Sequence, residues 1–153
     1  MAASGAAMRR IAAFGGGNTP AMLAVWREFG FHEALHEALR EALDQATVLA
    51  GISAGANCWF ERYITDSGSG GGLRAGLGRL PGVFCPHLDS EPWRQPLLAA
   101  QLTPEVGAGD GVLVLYVDDA WVEAVPTFAG TLLLQRIEAG GTGPVGVEPH
   151  RLH

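Results

Sequence analysis

The segment Gly51-Ile52-Ser53-Ala54-Gly55 sets a serine between glycines in the pattern G-x-S-x-G. The short apolar run TVLAGI, residues 47–52, precedes the serine and reads as a buried strand, and the stretch from Ala54 to about Arg62 reads as a helix. At such a junction the chain turns sharply, flanking glycines leave room for the turn, and the serine hydroxyl projects at the C-terminal edge of a sheet. A hydroxyl held there is a candidate nucleophile for acyl transfer. The backbone N–H of Ala54, at the start of the helix, can face the oxyanion that would develop. The plainer alternative is a serine that only caps the helix.

A serine nucleophile needs a base and a group that orients the base. His87 follows a short apolar strand, Val83 to Cys85, and a proline, which makes it the leading base. The orienting acid can be Asp118 or Asp119, directly after the apolar strand GVLVLYV at 111–117, although paired aspartates at strand ends also form turns and caps. A second pattern, His32-Glu33-Ala34-Leu35-His36, has the H-E-x-x-H form of zinc proteases. It consists of two units of a HEAL tetrapeptide, and the third unit places Arg40 where a further histidine would lie. Leu35 and Leu39 take the apolar face and Glu37 follows the second histidine, so the segment reads as an ordinary amphipathic helix and no metal is expected.

The elements that must carry these residues alternate. A strand over Arg10 to Phe14 runs into Gly15-Gly16-Gly17, then Thr19-Pro20 starts a helix that ends near Gly30. A second helix spans Phe31 to about Gln45, with Leu35, Leu39 and Leu43 four apart. After the Ser53 helix come a flexible loop at Ser67 to Gly72, the strand before His87, a helix within Pro92 to Leu102, and the GVLVLYV strand. The runs Trp121–Val125 and Thr131–Ile137 read as a hairpin. Strands alternating with helices predict an α/β fold with a largely parallel sheet and an antiparallel tail.

The chain has 153 residues, enough for one domain with a continuous core, and its 48% hydrophobic and 17% charged residues are a globular composition. The formal charge of −6 argues against nucleic acid as a partner, and no apolar run approaches a membrane span or a secretory signal, so a cytoplasmic protein is expected. Cys58 and Cys85 are too few for a disulfide framework and read as buried thiols.

Three segments, GGGNTP at 15–20, GISAGANCWFE at 51–61 and CPH at 85–87, together resemble the peptidase E (aspartyl dipeptidase) family of serine peptidases, relatives of the cyanophycinases. The resemblance implies a glutamine-amidotransferase-like fold, a three-layer, mostly parallel open sheet flanked by helices, with the family's usual first βα units lacking. It implies a triad of Ser53, His87 and Asp118, with Asp119 as fallback, and an accessory acid at Asp66. It also implies an oxyanion donor at Gly16. Cleavage of small peptides, some with N-terminal Asp, follows from the same likeness, and an aspartyl-specific site needs a cation, for which Arg94 is the candidate ahead of Arg74 and Arg79. No cofactor is expected, and a homodimer would cover the exposed part of a shortened sheet. Two other readings stand beside this one: a small-ester hydrolase, and a catalytically silent relative that serves as a binding or assembly module.

Overall fold

The computed structural model of the chain describes residues 11–31, 33–35, 37–38, 48–101, 105–117, 119–127, 134–137 and 145–146. The elements in chain order are β1 (Ile11–Phe14), α1 (Thr19–Glu28), β2 (Val48–Gly51), α2 (Ala54–Asn57), β3 (Phe60–Thr65), β4 (Gly72–Ala75) and β5 (Leu80–Cys85). They continue with α3 (Arg94–Ala99), β6 (Glu105–Ala108), β7 (Val112–Val117), β8 (Ala120–Pro126), β9 (Leu134–Ile137) and β10 (Val145–Gly146). The fold is α/β, with mixed sheets. β1 and β2 form a parallel pair, six strands form a sheet in the order β10-β9-β6-β5-β3-β4, and β7 and β8 form a separate antiparallel ribbon.

The sheets are less parallel than the alternation of elements predicts. Among the described residues β1/β2, β3/β5 and β5/β6 pair parallel, whereas β3/β4, β6/β9, β9/β10 and β7/β8 pair antiparallel. The hairpin also forms between different runs. Trp121 pairs with Tyr116 of the GVLVLYV strand, and β9 lies against β6. The reason is the tight connection between Val117 and Ala120, where Asp119 takes a left-handed φ of 64°, a conformation that aspartate tolerates and tight hairpins require.

Two further departures have local causes. The helix after Ser53 stops at Asn57, and the chain passes into β3, because Phe60, Tyr63, Ile64 and Thr65 suit a buried strand better than a continued helix. The cap of α1 is Asn18, whose side chain accepts from the Ala21 N–H at 2.9 Å, so Thr19 is already helical and Pro20 follows in the first turn. The positive φ of Gly30, 66°, fits its expected place just past the helix. Residues 31, 33–35, 37 and 38 are helical, with Leu35 buried, while His32, His36, Leu39 and Arg40 lie outside the described residues.

The core lies on both faces of β3 and β5. Tyr63 and Phe84 join one cluster with Leu23 of α1, Cys58, Trp59 and Ala124 of β8. Their strand neighbours Ile64, Val83 and Cys85 join the other, with Leu88 and Leu98 of α3. Alternate residues thus face opposite layers, as the two-residue period of a strand demands. Burial raises the Cys58 thiol to about 12, which keeps it protonated and unreactive. Among the described residues no helix is long and apolar enough to cross a membrane.

The glycines of the G-x-S-x-G turn are demanded by close backbone approach. A Cβ on Gly51 would come within 2.1 Å of the Gly55 carbonyl oxygen, and one on Gly55 within 2.2 Å of the Phe14 carbonyl oxygen. No side-chain rotation relieves a clash with backbone, so Gly55→Ala must push α2 away from β1. We expect a loss of about 3 kcal/mol or more, the upper part of the range for overpacking. A urea midpoint for Gly55→Ala equal to that of the wild type would contradict this account of the turn.

Candidate active site

The side chains that meet at the site come from loops that follow strand ends. Ser53 follows β2, His87 follows β5, and Asp110 follows β6. Gly15–Gly17 follows β1, and a Cβ built on Gly16 would lie 3.6 Å from the Ser53 Cβ, so the glycine loop borders the serine. Loops at the C-terminal ends of strands are where open α/β sheets bind their ligands.

Ser53 has φ 51° and ψ −109°, a backbone conformation that costs a non-glycine residue on the order of 1–3 kcal/mol. The Ile52 N–H donates to the Phe14 carbonyl at 3.1 Å and the Asn57 N–H to the Ser53 carbonyl at 2.9 Å, so the turn is held on both sides. The serine hydroxyl makes no capping bond to α2. It lies 2.8 Å from Nε2 of His87, so the helix-cap alternative does not describe it. His87 also has a positive φ, 58°, and its carbonyl accepts from the Glu91 N–H at 2.9 Å. Both partners of the serine–histidine contact therefore sit on strained backbone, a common mark of functional sites.

The carboxylate on the other ring nitrogen belongs to Asp110, whose Oδ1 lies 2.6 Å from His87 Nδ1. With Asp110 ionised, Nδ1–H donates to it and Nε2 is left to accept from the Ser53 hydroxyl. The hydrogen bond from His87 holds the Asp110 carboxyl below the ordinary carboxylate range; partial burial opposes this, and a bond from the Ser90 side chain and the nearby imidazole reinforce it. Asp118 lies outside the described residues. Asp119 pairs with Arg79, its Oδ2 2.6 Å from Nη1, and has no bond to His87 among the described contacts. Asp110 is hard to read from sequence because the strand that presents it, Glu-Val-Gly-Ala, has little strand character. The Gly109-Asp110-Gly111 turn was a signal available in the sequence.

Ser53 and His87 open on a small cleft of about 250 Å³, lined also by Gly17, Asn57, Asp66, Glu91 and Arg94. The structure thus gathers Ser53, His87, Asp66 and Arg94 at one place, with Gly16 and Ala54 beside the serine. Arg94 is 3% exposed and already engaged. Its Nε and Nη2 lie 2.9 and 2.8 Å from Glu91 Oε2, its Nη1 donates to the Ile64 carbonyl at 2.8 Å, and its Nη2 reaches Asp66 at 3.4 Å. Removing the guanidinium leaves the Ile64 carbonyl without this donor and two carboxylates without their cation. Arg94→Met should lose about 2–3 kcal/mol of stability, the range for hydrogen bonds to charged groups. Thermal melting checks this, and an unchanged melting temperature would show that Arg94 holds nothing together.

A strained serine on a strand–helix turn, bonded to a histidine that a carboxylate orients, is the arrangement that acyl-transfer hydrolases use. The chain belongs to peptidase family S51, whose family model matches residues 8–122. It is similar to the uncharacterized peptidase YgaJ of Bacillus subtilis (strain 168), at 39% identity over 121 residues, 76% of this chain. The chain spans about half the length of that relative, 51%.

Proposed function

We propose that this chain is a serine peptidase that hydrolyses dipeptides or short peptides through an acyl-enzyme. The observation that carries the reading is the continuous relay Ser53 Oγ, His87 Nε2, His87 Nδ1, Asp110 Oδ1, with contacts of 2.8 and 2.6 Å. His87 takes the serine proton as Oγ attacks the substrate carbonyl carbon. The negative charge that develops on the carbonyl oxygen is met by the backbone N–H groups of Ala54 and Gly16. His87 then returns the proton to the leaving amine, and a water molecule repeats the sequence on the ester to release the acid and restore Ser53.

Size and polarity favour short, polar substrates. A cleft of about 250 Å³ has no room for a long peptide segment, and its walls carry Thr19, Asn57, Thr65, Asp66, Ser67, Glu91 and Arg94. For a substrate with N-terminal Asp, Arg94 is the cation at hand. Its contact with the exposed Asp66 is its longest, 3.4 Å, and is the one a substrate carboxylate would replace. Asp66 then acts as an accessory acid at the cleft mouth. The finer fold assignment, a glutamine-amidotransferase-like arrangement, is supported by a site built from strand-end loops and by helices over the sheet.

The test is hydrolysis of a panel of Asp-X, Ala-X and Lys-X dipeptides and of longer peptides, followed by release of the free amine. Turnover confined to dipeptides, and fastest for Asp-X, is the expected pattern. Equal cleavage of long peptides would oppose the small-cleft reading, and cleavage of simple esters alone would favour an esterase.

A further inference from the structure

The turn that carries His87 also reaches across to the acid. Asp89, two residues after the histidine and exposed, accepts with one carboxylate oxygen, Oδ1, from two backbone N–H groups: Ser90 at 2.8 Å and Asp110 at 2.9 Å. The first bond shapes the turn itself. The second ties the histidine loop to a residue 21 positions further along the chain. Between the two loops the Leu88 N–H donates to the Ala108 carbonyl at 3.1 Å, and the Leu88 side chain is fully buried against Leu98 and its neighbours.

Asp110 has need of such a hold. Its side chain is 49% exposed, on a turn between β6 and β7. An exposed carboxylate on a turn gains from solvent much of what it gains from an imidazole, so its place on His87 depends on where its backbone is fixed. Asp89 faces the N–H of Asp110, the positive end of a dipole, and the bond is charge-assisted. Two acids close together thus cooperate: one supplies the carboxylate to His87, and the other anchors the main chain from which it projects.

We propose that Asp89 is a positioning residue for the histidine–acid pair: it touches no substrate, and holds the backbone of Asp110 where that residue's carboxylate meets His87. Its effect on rate rests on the serine-peptidase reading, whereas its effect on the His87–Asp110 bond does not.

The test uses the full chain with Asp89→Ala and Asp89→Asn, the latter keeping an oxygen acceptor of the same reach. Proton NMR of the free protein follows the far-downfield His87 Nδ1–H signal, and amide exchange follows the Asp110 N–H. The rate of modification by a fluorophosphonate and the kcat and KM for a dipeptide are measured in parallel. In wild type the Asp110 amide should exchange slowly. Asp89→Ala should lose the downfield signal and slow both labelling and kcat by about 10- to 100-fold, the scale of a small misplacement of a catalytic group, with KM within about twofold. Asp89→Asn should recover to within about fivefold of wild type and keep the signal. An Asp89→Ala protein with the signal intact and labelling within about twofold of wild type overturns the proposal, and so does fast exchange of the Asp110 amide in wild type, a result independent of how the variants fold. If wild type neither labels nor turns over, the peptidase reading falls, and the NMR and exchange results alone decide the role of Asp89.

Discussion

Replacing Ser53 with alanine should lower kcat for short peptides by about 10⁶-fold, the scale seen when a serine nucleophile is removed from a working triad, and leave the fold intact. Both halves follow from geometry. The hydroxyl is the group within 2.8 Å of His87 Nε2, and its β-carbon borders the glycine loop. Water cannot take its place with the same alignment, so the loss on rate is nearly complete. Stability behaves differently. The positive φ of 51° is demanded equally of serine and alanine, so the strain is unchanged and only a half-exposed hydrogen bond to the histidine is lost. A urea midpoint within about 1 kcal/mol of wild type is expected. A variant that retains even a hundredth of the wild-type kcat would mean that another group attacks the substrate.

The second large effect is at Asp110. Asp110→Asn should cost about 10⁴-fold in kcat. An amide facing His87 can present its N–H₂ to Nδ1, which moves the ring proton to Nε2 and leaves no acceptor for the serine hydroxyl. Asp119→Asn is the matched control. It removes only a pairing with Arg79 between partly exposed side chains, worth at most about 1 kcal/mol, and should leave kcat within about twofold. Equal losses in the two variants, or the larger loss at Asp119, would return the acid to the hairpin turn. A pH effect accompanies this prediction. Asp110 has its carboxyl lowered in the folded protein, chiefly by the His87 hydrogen bond, so its contribution to stability is present above the ordinary carboxylate pKa of about 4 and is lost as pH falls through the lowered value. Wild type should therefore lose stability more steeply than Asp110→Asn on acidification, by a small margin because the group is half exposed, and denaturation midpoints at a series of acid pH values measure it.

Legibility in the sequence followed locality. Ser53 could be read because its signal lies within a few residues, a strand, two glycines and the start of α2, even though the backbone that crowds Gly55 belongs to Phe14 of β1. His87 could be read because a proline and a short apolar strand mark the end of β5. Asp110 could not, because its place at His87 depends on which strand lies beside β5. Register places β6 there, Cys85 opposite Gly107, and so brings the turn after Ala108 to the histidine. The GVLVLYV run is the more conspicuous strand, yet its alternating inward and outward residues put it in a ribbon outside that sheet. The same non-local cause decides which runs form the hairpin. Asp119 reads alike as a catalytic acid and as a turn former, and only the pairing of β7 with β8 separates the two uses. Arg94 was legible as a cation near the histidine, but its three acceptors come from Ile64, Asp66 and Glu91, two of them on another strand and its following turn.

The central claim is that Ser53 is an activated nucleophile, and intact mass after incubation with a fluorophosphonate tests it most directly. Wild type should gain the mass of one phosphonyl adduct, mapped to the peptide that contains Ser53, while Ser53→Ala gains none and Asp110→Asn reacts far more slowly. No adduct on folded wild-type protein, or an adduct of equal extent on Ser53→Ala, would contradict the account.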